Sequence, residues 1–209
     1  MTRHERYWDR MAARYAARRI GDVEAYERAL ARTGFWLKPE DRVVEFGCGT
    51  GMTALKLASE VGRIDATDFS AEMIRIGVEK AQAAGVGNVA FARADVTDPE
   101  AVPGPYDVAL AFNFLQLMPD LPAALAAIAR RLEPGGLFVS KSICLGEGGL
   151  RSMRLAVRGL KAVGVLPPIR FLTIAGLEQA VEEAGFEIVE RGLYPERPPS
   201  RFLVARKAG

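Results

Sequence analysis

The chain has 209 residues, of which 49% are hydrophobic and 26% are charged, a composition typical of globular domains. Its formal net charge of +2 argues against a nucleic-acid partner, because domains that bind phosphate backbones concentrate Lys and Arg far more strongly. Cys48 and Cys144 have no paired spacing and His4 is the single histidine, so neither a disulfide framework nor a metal site is expected.

The amino terminus is charged throughout and lacks the apolar core of a signal peptide. No later stretch is long and apolar enough to cross a bilayer. We therefore expect a cytoplasmic protein without a transmembrane segment, present as a monomer or a homodimer. Residues 1–36 have helical periodicity and precede the first predicted strand.

From residue 41 onward, short apolar runs alternate with segments of helical period, the pattern of a sheet covered by helices on both faces. The apolar runs predict five strands, at 41–46, 63–68, 88–93, 106–112 and 137–143. Helices are predicted between them at 52–61, 70–85 and 120–136. Ser70 is expected to cap the second of these helices, and Pro134 with two glycines is expected to stop the third.

The carboxyl-terminal part departs from this alternation, with a predicted helix at 173–186 followed by strands at 186–194 and 200–207. The link between these two strands is too short for a helix, so the strands must pair antiparallel or not at all. The expected fold is α/β: a Rossmann-like, doubly wound, seven-stranded sheet, mostly parallel with a carboxyl-terminal antiparallel strand pair, and helices on both faces.

We interpret residues 1–209 as a single domain with four parts. Residues 1–36 form an amino-terminal helical lid and residues 37–145 a ligand-binding core. Residues 146–170 form an insertion that covers the substrate, and residues 171–209 contribute the last helix and the strand pair.

The turn after the first predicted strand reads VVEFGCGTG and carries three glycines, Gly47, Gly49 and Gly51. Glycine at a strand-to-helix turn permits positive φ and lets a ligand approach the backbone. A phosphate loop would need Lys after the glycines, which is absent. The dinucleotide fingerprint would need its third glycine at the position of Met52. Both of these ligand classes are therefore disfavoured.

In this order of motifs the sequence resembles the class I S-adenosylmethionine-dependent methyltransferases, of the type that acts on small molecules. The matching segments cover roughly residues 40–143: VVEFGCGTG, ATDFSAEMI, ARADVTD, YDVALAFNFLQLMPD and IARRLEPGGLFVSKS. The resemblance implies S-adenosyl-L-methionine as cofactor, S-adenosyl-L-homocysteine as product and methyl transfer as the reaction. Glu45 agrees with it, because a carboxylate repels a pyrophosphate but attracts a sulfonium and an ammonium.

The predicted cofactor-binding residues lie in or after the first four strands: Glu45, Gly47, Cys48, Gly49, Gly51, Asp68, Phe69, Met73, Asp95, Val96, Asn113 and Phe114. Asp68 ends the second strand and could accept both ribose hydroxyl groups. By resemblance, Asp95 and Val96 contact the adenine, and Asn113 and Phe114 lie near the methionine part. Capping or turn formation for Asp68, Asp95 and Asn113, and core packing for Phe69, Met73 and Val96, remain as alternatives.

The predicted acceptor-binding residues come from three parts of the chain: Tyr7, Trp8, Tyr15, Leu115, Lys141, Arg151 and Arg154. The aromatic face of the amino-terminal helix could form a lid or simply dock on the domain. The basic stripe of the insertion suits an acidic small molecule, an anionic membrane surface or a lipid-like substrate, and a solvated helix face is the alternative.

No residue is selected as a general base, although His4, Glu5, Tyr7, Tyr15 and Lys141 are candidates. The expected acceptor is a small molecule, with the methylated atom undetermined among O, N and C. A binding protein without transferase activity, acting as a sensor or partner subunit, and a protein or lipid methyltransferase are the alternatives. An NAD-linked oxidoreductase is disfavoured by Met52.

Overall fold

The computed structural model describes residues 3–98, 102–147 and 169–209. Most of the predicted insertion, including Arg151 and Arg154, lies outside these ranges. Among the described residues, no helix is long and apolar enough to cross a membrane.

A seven-stranded sheet forms the centre of the molecule, in the order β3-β2-β1-β4-β5-β7-β6. Strands β1 to β5 are parallel, while β7 runs antiparallel to both β5 and β6. The strands are β1 Arg42–Phe46, β2 Arg63–Asp68, β3 Val89–Arg93, β4 Tyr106–Phe112, β5 Leu132–Ile143, β6 Phe186–Leu193 and β7 Ser200–Lys207. This topology confirms the predicted fold class, including the carboxyl-terminal antiparallel pair.

Six α-helices are described, and most begin at a residue whose side chain caps the helix. They are α1 Arg3–Ala16, α2 Val23–Trp36, α3 Met52–Leu57, α4 Ala71–Ala84, α5 Leu121–Arg130 and α6 Ile174–Glu183. The Ser70 hydroxyl accepts the Met73 N–H at 3.2 Å, and Gly85 ends α4 in the left-handed conformation. Both ends of α4 therefore follow the sequence prediction. Asp22 caps α2 and Asp120 caps α5 in the same way.

One predicted boundary is wrong, because α5 ends at Arg130 and β5 already begins at Leu132. The Tyr106 N–H donates to the Arg131 carbonyl at 2.8 Å. This hydrogen bond pairs the chain with β4 directly after α5, so the helix ends before Pro134. The register then shifts between Tyr106 and Val108, which places the Pro134–Gly136 segment at an irregularity of the strand. This long-range hydrogen bond could not be inferred from local sequence.

Buried side chains fill both faces of the sheet, as expected for parallel strands joined by helices. On the α2 face the core includes Leu30, Val43, Leu110, Val139 and Phe202. The α5 and α6 face includes Phe46, Leu125, Phe138, Leu177 and Leu203. These two cores hold the carboxyl ends of β1, β2, β4 and β5 at one edge of the sheet, where the glycine loop lies.

Candidate active site

The glycine loop leaves β1 with its backbone in the left-handed region at every second residue. The φ angles are 65° at Gly47, 55° at Gly49 and 75° at Gly51. The Cys48 N–H donates to the Thr67 carbonyl at 2.9 Å, which ties the loop to β2. Side chains with a Cβ rarely adopt such φ values, so the loop needs glycine at these three positions.

The three glycines have different surroundings. A Cβ on Gly47 would lie 2.2 Å from the Phe114 ring, and one on Gly51 would lie 2.5 Å from the Phe91 ring. At Gly49 the nearest atoms would be a Tyr15 ring carbon at 3.4 Å and the Met73 sulfur at 4.0 Å. Gly47 and Gly51 thus also accommodate aromatic packing, whereas Gly49 faces the gap between the loop and α1.

Asp68 ends β2, and its side chain is hydrogen-bonded to the glycine loop. Its carboxylate accepts the Gly49 N–H at 3.0 Å and the Ser70 N–H at 2.9 Å. Burial raises the pKa of Asp68 to about 6, so the group is mainly ionised at neutral pH. An ionised carboxylate has about four acceptor positions, which leaves two for the hydroxyl groups of a ligand.

Glu45 lies on β1, two residues before the first glycine, and its side chain is completely buried. One of its carboxylate oxygens, Oε2, has no hydrogen-bond partner among the described residues. Burial raises the pKa of Glu45 to about 8, and the neighbouring charge of Asp68 adds to this effect. The Ala54 backbone N–H donates to the carboxyl group, but the buried Oε2 atom lacks a donor, which is costly for a protein and favours the binding of a cationic or donor group.

Helix α1 lies over the loop and is attached to the start of α4. The Asp9 carboxylate accepts the Ser70 hydroxyl at 2.6 Å and the Glu72 N–H at 3.3 Å. Glu5 forms an ion pair with Arg93 at the end of β3. These contacts hold α1 against the carboxyl ends of β2 and β3.

The aromatic side chains of α1 that were predicted to form a lid have different surroundings. Trp8 packs against the Tyr7 and Tyr15 rings, with centroid separations of 5.4 and 6.0 Å, and borders a buried cluster that contains Met73. Tyr15 is 39% exposed and lies by the glycine loop. Burial and the charges of Glu45 and Asp68 raise the pKa of the Tyr15 hydroxyl. Tyr15 therefore lies close enough to the two carboxylates for their charges to raise the pKa of its hydroxyl group.

The other predicted cofactor residues lie along the same edge. Asp95 is exposed and accepts the Thr97 N–H at 2.8 Å, whereas Val96 is buried in the core. Met73 is buried beneath α1. The half-buried Phe69 lies between Asp68 and Ser70, and Cys48 is buried within the loop. Side-chain packing alone accounts for Met73 and Val96 in this structure.

The chain turns sharply after β4, where Asn113 has a φ of 54° and its N–H donates to the Lys141 carbonyl at 2.6 Å. Phe114 is buried over Gly47, and the next residue, Leu115, is completely buried in the core that faces α5. The turn therefore brings β4, the glycine loop and β5 together.

Sequence reasoning missed two contributions to this edge, Asp9 on α1 and Tyr26 on α2. Tyr26 is buried, its hydroxyl lies 3.5 Å from the Thr53 hydroxyl, and burial raises its pKa to about 12. The charge of Glu45 also raises this pKa. A tyrosine on the apolar face of a predicted helix was the available signal, whereas the Asp9 contact depends on tertiary packing.

The sheet has the strand order 3-2-1-4-5-7-6. It carries a buried acid within β1, a glycine-rich loop after β1 and a second acid at the end of β2. Together these features define the class I S-adenosylmethionine-dependent methyltransferases. The family model described as a methyltransferase domain matches residues 12–191, and the chain belongs to this family.

Among curated proteins, a ubiquinone biosynthesis O-methyltransferase of Burkholderia pseudomallei is 28% identical over 174 residues, which cover 80% of this chain and 74% of that protein. Among solved structures, the magnesium protoporphyrin IX methyltransferase of Synechocystis PCC 6803, with bound S-adenosylhomocysteine, has a TM-score of 0.70 at 21% identity. The match covers 97% of this chain and 94% of that chain.

A second similar structure is the [4+2]-cyclase SpnF, with a TM-score of 0.72 at 20% identity and coverage of 87% of this chain and 80% of that chain. At such identities the structural likeness shows the fold alone. The cyclase illustrates that one fold can carry a different reaction, so activity has to be argued from the site.

Proposed function

We propose that this protein transfers the methyl group of S-adenosylmethionine to an oxygen atom of a small-molecule acceptor. The observation that carries the proposal is the buried, half-unpartnered carboxyl group of Glu45 beside the bare glycine loop. An ammonium group, such as that of the methionine part of the cofactor, would satisfy it. The similarity to an O-methyltransferase of ubiquinone biosynthesis favours oxygen as the methylated atom.

Each end of the cofactor has a suitable partner in this site. Glu45 would hold the ammonium group, Asp68 would accept the ribose hydroxyl groups, and Asp95 would accept the adenine amino group. The backbone of Gly49, which faces the gap between the loop and α1, would leave room for the ligand beside Asp68. The bound cofactor supplies an electrophilic methyl group on a sulfonium, and the protein's task is to align the acceptor and exclude water.

Acceptor binding is assigned to the parts of the chain around the Asn113 turn and Tyr15. Tyr7, Trp8 and Leu115 would support this pocket through packing rather than direct hydrogen bonds. The insertion at 146–170, with Arg151 and Arg154, would complete the pocket and is the segment to which an anionic surface or acceptor could bind.

Replacement of Asp68 by Ala is expected to weaken S-adenosylhomocysteine binding at least about tenfold, because hydrogen bonds to a charged group are each worth about 1.5–3 kcal/mol. Titration calorimetry measures the effect. Asp107→Ala is the matched control, since Asp107 accepts the Arg42 N–H at 2.8 Å at the opposite edge of the sheet. Equal affinities of wild type and Asp68→Ala for S-adenosylhomocysteine would show that Asp68 does not bind the cofactor. Parallel titration with NADH should show no binding.

Asp9→Ala is expected to speed the release of S-adenosylhomocysteine about fivefold. The substitution removes the hydrogen bonds that Asp9 accepts from Ser70 and Glu72, a net loss of about 1 kcal/mol. A larger fraction of the molecules would then have α1 detached from α4, from which the ligand can leave. Stopped-flow fluorescence measures the release rate, and Arg14→Ala on the exposed side of α1 is the control. An unchanged release rate would show that α1 does not limit cofactor exchange.

A further inference from the structure

Lys141 is a largely buried lysine near the carboxyl end of β5. Its side chain is 7% exposed, and no hydrogen bond or ion pair of its ammonium group is found within the described ranges 3–98, 102–147 and 169–209. Burial lowers the pKa of Lys141, and the charge of Asp22 partly opposes this effect. The lysine side chain is thus largely buried while its unpaired ammonium end keeps some access to solvent, an arrangement that suits the binding of an anion.

The register of the sheet places Lys141 on the same face as Glu45. Leu137 and Val139 belong to the core on the α2 side, and side chains alternate along a strand, so Lys141 also points to that side. Lys141 pairs with Phe112 of β4, whereas Glu45 pairs with Leu110. Lys141 therefore lies two residues nearer than Glu45 to the carboxyl edge of the sheet. Since β4 separates the two strands, Lys141 lies about 10 Å sideways from Glu45.

The Asn113 turn connects Lys141 to the proposed site of transfer. The Asn113 N–H donates to the Lys141 carbonyl, and the following Phe114 ring covers Gly47. Lys141 is therefore on the far side of the turn from the glycine loop. Its position is at the edge where ligands bind in open α/β sheets, but one strand beyond the strands that carry the cofactor residues.

The groups around Lys141 are mainly apolar. Its partners across the sheet are Phe112 and Phe202, and the Tyr194 ring packs beside Phe202 at 5.6 Å. On α2, Asp22 is exposed and already accepts the Ala25 N–H at 2.9 Å. Glu45 on β1 and Glu190 on β6 are further acids on this face, and Glu190 already accepts hydrogen bonds from Arg32 and Trp36 of α2. None of these groups pairs with the ammonium, which leaves a cationic position for a ligand.

We propose that Lys141 binds an anionic oxygen of the acceptor, so that the acceptor is a phenol or a carboxylic acid that reacts as its anion. This inference rests on the proposed function and names its substrate class. Beside an ammonium in an apolar surrounding, the anionic form of the acceptor is favoured and its proton leaves to solvent before transfer. Lys141 stays protonated and acts as a positioning group, so no general base is needed.

The charges and atoms of this step balance. The oxyanion of the acceptor forms a bond to the methyl carbon, the bond from that carbon to sulfur breaks, and its electron pair returns to sulfur. One negative oxygen and one positive sulfur become a neutral ether or ester and a neutral thioether. Such charge cancellation is favoured in a site from which water is excluded.

The carboxylate of the cofactor's methionine part is another source of the same anionic chemistry, so the test separates the two. Benzoate and its neutral analogue benzamide are titrated into the protein saturated with S-adenosylhomocysteine. Wild type is expected to bind benzoate at least about tenfold more tightly than benzamide, as expected for one charge-assisted contact. Lys141→Met should abolish this preference and leave S-adenosylhomocysteine affinity within about twofold.

Lys38→Met, at the exposed amino-terminal edge of the sheet, is the control and should behave as wild type. A tenfold loss of S-adenosylhomocysteine affinity in Lys141→Met would assign the lysine to the cofactor and overturn the proposal. A preference for benzoate that persists in this variant, or is absent from wild type, would overturn it as well.

A measurement on wild type keeps the test independent of how the variant folds. Benzoate affinity should begin to fall with rising pH below pH 10.4, the ordinary pKa of lysine, because burial lowers the pKa of Lys141. Affinity that stays constant up to that pH would contradict the inference. A failure of the proposed function would give a different result. Wild type would still prefer benzoate to benzamide, but no label would pass from S-adenosylmethionine to any small molecule.

Discussion

Glu45→Gln is expected to lower the affinity for S-adenosylhomocysteine about 10- to 150-fold, the range that corresponds to about 1.5–3 kcal/mol for a hydrogen bond to a charged group. Gln has nearly the same shape but cannot carry the negative charge that an ammonium requires. The exposed Glu187 on β6 supplies the control variant, Glu187→Gln, which should bind like wild type.

Proton release gives this substitution a second readout. Burial raises the pKa of Glu45 in the free protein to about 8, so at pH 7 most molecules hold this proton. A bound ammonium lowers the pKa, and the proton is therefore released on binding. Calorimetry in buffers of different ionisation enthalpy should detect proton release on binding by wild type and much less by Glu45→Gln. Equal release by the two proteins would contradict the role of Glu45.

Glu45 should also reduce the stability of the unliganded protein. Because its pKa in the folded state lies above the ordinary value of 4.5, ionisation opposes folding, and this effect grows as pH rises from 4.5 to 8. The upper limit is about 1.4 kcal/mol for each pH unit in that window. Glu45→Gln should therefore be more stable than wild type at pH 8, and the difference should disappear towards pH 5 in urea titrations.

Gly51→Ala is expected to destabilise the fold by about 2–4 kcal/mol, the sum of left-handed backbone strain and a clash in a packed interior. The Phe91 ring lies 2.5 Å from the position of the added Cβ, and the φ at Gly51 is 75°. The same ring would lie 2.5 Å from a Cβ on Gly77 of α4. Phe91 is thus packed between two glycines from different elements.

Two further glycine variants separate strain from clash. Gly85→Ala introduces strain alone, because φ is 65° there and no atom lies within 4 Å, and should reduce the free energy of unfolding by about 1 kcal/mol. Gly77→Ala introduces the clash alone, within a helix where alanine is otherwise favoured. In the background of Phe91→Leu, the effect of Gly51→Ala should fall to that of Gly85→Ala. An unchanged effect would refute the packing explanation.

The central sheet could be predicted because its information is local. Runs such as VALAF in β4 are too apolar for a half-exposed strand, and the short link between β6 and β7 permits antiparallel pairing only. The charge of Glu45 before the glycines already favoured a cationic ligand over a phosphate. Residues such as Ser70 and Gly85 mark helix ends through chemistry that acts within one turn.

The parts that could not be predicted depend on contacts between distant residues. Asp9 reaches Ser70 from 61 residues away, and nothing in the sequence near Asp9 distinguishes it from an exposed acid of α1. The packing of Phe114 on Gly47 requires the turn at Asn113, whose positive φ follows from a hydrogen bond to β5. Such contacts are set by how the elements pack together.

The most direct test of the proposed function is transfer of a radiolabelled methyl group from S-adenosylmethionine into a pool of small metabolites. We expect wild type to place label in the small-molecule fraction, and Glu45→Gln and Asp68→Ala to place far less there at the same cofactor concentration. Label that appears in protein, or S-adenosylhomocysteine binding without any transfer to the metabolite pool, would contradict a small-molecule methyltransferase.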